Sequence, residues 1–147
     1  MTPPPVIFPV LPMGKPRMTQ RDRWKKRPAV TRYHGFKDEM RERLAGLPHL
    51  RRLIDSGTVH RLSWTAYLPI PASWSKRKKS AMAGALHRAK PDRDNIDKAI
   101  LDALFTDDSG IAAGHLEKRW DDGRGPRLEI TFESVSDSPP APPRVAG

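Results

Sequence analysis

Apolar residues in this chain fall into short blocks whose period changes along the sequence. Val6 to Leu11 is an apolar run that reads as a strand, and Pro9 within it removes a backbone donor, which suits a sheet edge or a bulge. Tyr33 to Leu47 carries Phe36, Met40, Leu44 and Leu47 at helical spacing, with charged residues between them. Arg61 to Ile70 alternates. Leu62, Trp64, Ala66 and Leu68 share one face and Ser63, Thr65 and Tyr67 the other, which predicts a half-buried strand ended by Pro69 and Pro71. Ser73 to Ala89 is a basic helix candidate with Ser73 or Ser75 as N-cap. Ile96 to Phe105 is the clearest helix, with Ile96, Ala99, Ile100, Ala103 and Leu104 on one stripe. Ile111 to Trp120 predicts a strand with Gly114 as a bulge. A turn follows at residues 121–125, then a second alternating strand over Arg127 to Glu133 with Leu128, Ile130 and Phe132 inward.

These elements predict a small single α/β (α+β) domain. It has a mixed β-sheet of three or four strands and about three helices, over residues 1–133. Residues 134–147 hold four prolines and almost no bulky apolar side chain, so a disordered Pro-rich tail is expected. Gly14 to Arg32 carries eight Lys or Arg with Pro16 and Pro28 and little periodicity, and reads as a long basic loop.

Composition narrows the function. The formal charge is +10, which points to a polyanionic partner such as nucleic acid. The charge is also segregated. Residues 1–90 carry 20 Lys or Arg against 5 Asp or Glu, and residues 91–147 carry 7 against 12. The chain has no cysteine, which excludes disulfides, zinc–thiolate sites and thiol nucleophiles. Its five histidines form no ligand motif, so zinc is not expected. No apolar run approaches a membrane span, and Met-Thr-Pro-Pro-Pro is no signal peptide, so a cytoplasmic protein is expected.

Residues 92–108 gather six of the seventeen carboxylates: Asp92, Asp94, Asp97, Asp102, Asp107 and Asp108. Two readings compete. In one, Asp94 caps the helix, Asp97 complements its dipole, and Asp94, Lys98 and Asp102 form a surface ion-pair ladder. That reading leaves Asp92, Asp107 and Asp108 without a task. In the other, carboxylates hold a divalent metal while the basic surface holds a polyanion that the metal helps to cut. Lys15, Arg17, Lys76, Arg77, Lys78, Lys79 and Arg88 are the candidate DNA-binding residues. Trp24 and Trp74 lie among basic residues, where they either stack on exposed bases or pack in the core.

The run Asp92-x-Asp94-Asn95-x-x-Lys98-Ala99-x-x-Asp102-Ala103-Leu104, followed by Asp107-Asp108, resembles the signature of the RusA family of Holliday junction resolvases. The N-terminal strand leading into Gly14-Lys15-Pro16-Arg17, the Ser73 to Lys79 segment and His87 to Pro91 share the resemblance, which spans roughly residues 5–133. It implies a RusA-like fold and a crossover junction endodeoxyribonuclease of phage or prophage origin. The implied enzyme is a Mg²⁺-dependent homodimer, with Mn²⁺ as a possible substitute, that nicks four-way DNA junctions in pairs during recombination and repair. It implies Asp92, Asp94 and Asp108 as metal ligands and Lys98 as an essential catalytic lysine. The two-residue link Phe105-Thr106 is shorter than in many members, which leaves open whether Asp107 or Asp108 is the third ligand. Rival expectations are a metal nuclease for flaps, forks or other branched DNA in phage replication or packaging, and a non-catalytic DNA-binding protein.

Overall fold

The computed structural model describes residues 3–17 and 27–135. The fold has four helices and a mixed four-stranded sheet. The strands are β1 (Val6–Phe8), β2 (Val59–Leu68), β3 (Leu116–Trp120) and β4 (Arg127–Ser134). The helices are α1 (Pro28–Ala45), α2 (Pro48–Asp55), α3 (Lys76–Met82) and α4 (Arg93–Leu104), with α1 and α4 packed on one face of the sheet. The sheet order is β1-β4-β2-β3. Only β2 and β3 run parallel; β4 is antiparallel to β1 and β2. The parallel pair requires a crossover, and the chain between β2 and β3 supplies α3 and α4.

The core lies between helices and sheet. Leu62, Trp64, Ala66 and Leu68 of β2 and Leu128, Ile130 and Phe132 of β4 meet Tyr33, Phe36, Met40 and Leu44 of α1. The five stripe residues of α4 are buried among them. Ile96 and Ile100 are fully buried, and each contributes about 1.5–3 kcal/mol over leaving it in water. No helix is long and apolar enough to cross a membrane among the described residues.

Several expectations are corrected. The helix expected from Tyr33 starts at Pro28, where a fixed φ and a missing N–H suit the first turn. It therefore takes in the end of the expected basic loop. Residues 18–26, with Trp24, lie outside the described part. The Pro48–Asp55 helix was not expected, because its eight residues are too few to show a period. The basic helix is only seven residues, capped by the Ser75 hydroxyl, which accepts from the Lys78 amide. Beyond it, Gly84 takes φ +75° and the chain turns to run antiparallel to β3, with Leu86 bridged to Arg119. This segment covers β3's outer edge.

β1 stops at Phe8, ahead of Pro9, and is an edge strand as expected. The last strand extends to Ser134, one residue past the expected domain end. The rest of the expected tail, from residue 136, lies outside the described residues. The strand expected from Ile111 starts only at Leu116. Residues 111–115 instead lie against β2: the Leu62 amide donates to the Ala113 carbonyl and the Trp64 amide to the His115 carbonyl. Gly114 is where they touch. A Cβ there would sit 1.9 Å from the Leu62 carbonyl oxygen.

Candidate active site at the start of α4

The carboxylate-rich segment begins one residue before α4. Asp92, not Asp94, occupies the N-cap, and its side chain makes no cap hydrogen bond. Both its oxygens instead take the Lys90 ammonium, at 2.8 and 2.9 Å. That hydrogen bond, helped by the charges of Lys90 and Lys118, outweighs desolvation and holds the Asp92 carboxyl below its ordinary value. Asp94 stands exposed in the first turn with no hydrogen-bond or ion-pair partner among the described residues. The positive end of the helix dipole favours both charges there.

The expected ladder does not form. No ion pair joins Lys98 to Asp94 or Asp102 among the described residues. Asp102 faces inward, taking the Tyr33 hydroxyl at 2.5 Å and the Lys15 ammonium at 2.8 Å. Burial raises the Asp102 pKa, but these two partners outweigh it and the net shift is downward. Burial, then the Asp102 hydrogen bond, pushes the Tyr33 phenol far up. Asp97 accepts the Trp64 indole N–H at 2.9 Å. Asp97 and Asp102 therefore brace the helix against sheet and α1.

Two clefts flank the carboxylates. On one side Lys15, Pro16, Arg17, Asn95 and Lys98 line about 510 Å³. The Lys15 amide donates to the Asn95 carbonyl at 2.9 Å. Gly14 lies so close that a Cβ would come within 3.1 Å of the Asn95 Cβ and 3.2 Å of the Pro91 Cβ. On the other side His87, Arg88, Ala89, Lys90, Asp92, Arg93 and Lys118 line about 500 Å³. Lys15, Arg17 and Lys98 thus come together beside one flank, and Arg88 beside the other. Lys15 is committed to Asp102. Lys76, Arg77, Lys78 and Lys79 lie apart on α3, tied to the second cleft through an aromatic stack. Lys78 lies 4.2 Å from the Trp74 ring centre, Trp74 meets Trp120 edge-on at 4.8 Å, and Trp120 meets His87 at 4.1 Å. Trp74 is a packing residue in this arrangement.

Asp108 is not brought to Asp92 and Asp94. Asp107 and Asp108 follow the far end of α4, and twelve helical residues at about 1.5 Å each hold the two ends roughly 18 Å apart. Among the described residues no three carboxylate or imidazole groups gather into a set that could hold a metal ion. The expected three-ligand set is therefore not assembled within one chain. Asp107 instead accepts the Ser109 amide at 3.0 Å and shapes the turn.

Lys118 had no signal in the sequence. It lies in register with Ala66 on the helix-covered face of β3, and its ammonium donates to the Ala89 and Pro91 carbonyls at 2.6 and 2.7 Å. Burial lowers its pKa, partly opposed by Asp92. His87 is buried, and burial and the Lys118 charge hold its pKa below the usual value. The unfolded chain then takes up this proton before the folded one does. Stability present above about pH 6.5 should be lost as pH falls toward the lowered value. Urea midpoints at pH 7.5 and 5.5 should differ less in His87→Phe than in the parent; an equal difference would exclude His87 as the source.

No curated protein matches this chain. The profile of the family described as Endodeoxyribonuclease RusA matches residues 9–133, which takes in both clefts, all four helices, β2, β3 and β4 as far as Glu133. The chain belongs to the RusA endodeoxyribonuclease family.

Proposed function

We propose that this chain is a Mg²⁺-dependent, structure-specific endonuclease that resolves four-way DNA junctions as a homodimer, by paired symmetric nicks. The observation that carries the reading is the pair Asp92 and Asp94 at the start of α4, neither bonded to the core, with Asp92 lining one cationic cleft and a second opening beside Asn95 and Lys98. Asp97 and Asp102 are occupied in bracing the helix; Asp94 is not, and Asp92 holds only an exposed lysine. A bracing role alone does not account for that pair.

The donors offered are all oxygen, which suits Mg²⁺, with Mn²⁺ as a substitute. Such an ion would neutralise phosphate charge and acidify a bound water. Asp92 and Asp94 can serve it from one chain. A third ligand from Asp108 would have to come from another copy, because α4 keeps the two ends apart within one chain. Dimerisation and metal binding are thus coupled in this reading. A two-fold dimer also presents two equivalent sites to a junction that needs two symmetric cuts. The cationic clefts suit backbone phosphates, whose contacts position DNA without reading its sequence.

The test is cleavage of a synthetic mobile four-way junction with and without Mg²⁺, alongside light scattering at the same concentration. Paired nicks that need the metal, from a dimer that barely cuts linear duplex, are expected. A monomeric mass during cleavage, or equal cutting of linear duplex, would overturn the resolvase reading and favour a nuclease for other branched DNA. Cleavage of no substrate would favour a DNA-binding protein.

Lys98 is expected to act on the phosphate rather than on the helix surface. It is exposed, unpaired among the described residues and lines the cleft next to Asn95. A surface ion pair would contribute at most about 1 kcal/mol to stability and little to rate. A cation beside the reacting phosphate is worth roughly a hundredfold or more. Lys98→Ala should lose that much turnover at unchanged melting temperature; turnover within a few-fold of the parent would dismiss the role.

A further inference from the structure

β3 presents alternate residues to the helix-covered face. Leu116, Lys118 and Trp120 pair in register with Trp64, Ala66 and Leu68, all buried on that face. Leu116 and Trp120 suit it; an ammonium does not. Lys118 is half-buried there, and the water its ammonium gives up must be replaced by strong acceptors. A leucine or methionine at this position would satisfy the fold at lower cost. The acceptors that Lys118 finds are informative: both are backbone carbonyls of one short segment, Ala89 and Pro91. The same segment is held lower down by the His87 amide on the Lys118 carbonyl. The next residue after it is Asp92, the N-cap of α4.

We propose that Lys118 is a positioning residue: its ammonium clamps the Ala89 and Pro91 carbonyls and so sets where Asp92 and Asp94 stand relative to the sheet. The clamp works through the backbone, so it fixes the carboxylates without occupying them. It leaves Arg88 and Arg93 free among the described residues to meet phosphate in the same cleft. Without it, residues 88–91 keep few bonds to the rest of the fold. Among the described residues the Ala89 amide reaches only the His87 ring, at 3.4 Å. Displacing a reacting group by about 1 Å can cost on the order of a hundredfold in rate. The inference rests on the nuclease reading for its effect on turnover, but not for the clamp itself.

The experiment compares the full chain with Lys118→Met, which keeps the length and removes the donors. Amide hydrogen exchange is followed at His87 and Ile96, and at β4 residues as a reference. Exchange at His87 and Ile96 should rise by about tenfold or more while β4 stays protected. Turnover on a saturating four-way junction should fall by roughly tenfold to a hundredfold, with junction affinity within about threefold. Unchanged exchange at His87 and Ile96 would overturn the clamp. So would equal acceleration at β4, which would make Lys118 a general brace of the sheet. Weakened junction binding at undiminished turnover would make it a phosphate contact instead. If the parent chain cuts no branched DNA, the nuclease reading falls, and the exchange comparison still decides the clamp.

Discussion

Asp94→Asn should abolish cleavage of a four-way junction while leaving the fold and junction binding intact. The carboxylate has no partner among the described residues, so the amide breaks no contact. The structural cost is confined to a weaker helix-dipole interaction, about 0.3–1 kcal/mol. On the proposed metal-dependent mechanism the chemical cost is far larger, because an amide cannot supply the charge that would draw a divalent cation to phosphate. A loss of roughly a hundredfold or more is expected, with binding equal to the parent or tighter, since one negative charge near the backbone is gone. Asp92→Asn should behave alike, and it also releases Lys90. Gel-based cleavage and binding assays on the same junction separate the two quantities. Near-normal cleavage by either variant would remove that residue from the site. Asp107→Asn and Asp108→Asn belong in the same series, because Asp107 already holds the Ser109 amide and Asp108 is the expected ligand.

The largest stability effect is expected at Gly114. A Cβ added there would lie 1.9 Å from the oxygen and 2.9 Å from the carbon of the Leu62 carbonyl, both backbone atoms of the central strand β2. No side chain can rotate away to relieve that contact. Residues 113–115 must lift off β2, giving up the Leu62 and Trp64 amide bonds to the carbonyls of Ala113 and His115, on either side of the glycine. Overpacking costs about 1–3 kcal/mol and each lost hydrogen bond about 1, so Gly114→Ala should cost roughly 3 kcal/mol or more. That is a large share of the 5–15 kcal/mol typical of a domain. Gly35→Ala is the opposite case. A Cβ at Gly35, inside α1, meets nothing within 4 Å, and the change should stabilise by about 0.5–1 kcal/mol. Urea unfolding of the two variants checks both signs. A Gly114→Ala midpoint equal to the parent would show that residues 111–115 do not press on β2.

How much of this was legible beforehand depends on the range of the forces involved. Burial follows a local period, so the alternating faces of β2 and β4 and the stripe of α4 were readable from residue order, and all are buried as expected. The carboxylate run of the α4 segment stood out in residue order as a candidate site, because such a run in a cationic chain is unusual enough to need a cause. Family membership follows from the same run and the chain around it. Helix ends were misplaced where sequence signals compete. Asp92 and Asp94 are both acceptable N-caps by type; the helix begins at Arg93, so Asp92 takes the cap position while its carboxylate holds Lys90 rather than the helix amides.

Only the tertiary structure could sort the carboxylates. Asp97 and Asp102 match the candidate site residues in type and spacing, but their partners Trp64, Tyr33 and Lys15 lie 33, 69 and 87 positions away, and no local pattern encodes those meetings. The same holds for Lys118, whose place in an alternating strand reads as ordinary until its ammonium is seen under two carbonyls. The separation of Asp108 from Asp92 is likewise a matter of geometry. The sequence places them sixteen residues apart, and the rigid length of α4 turns that interval into two ends of a rod. Residue order determined most of the elements, their buried faces and the family. Long-range packing decided which carboxylates brace the fold and which remain available for a substrate.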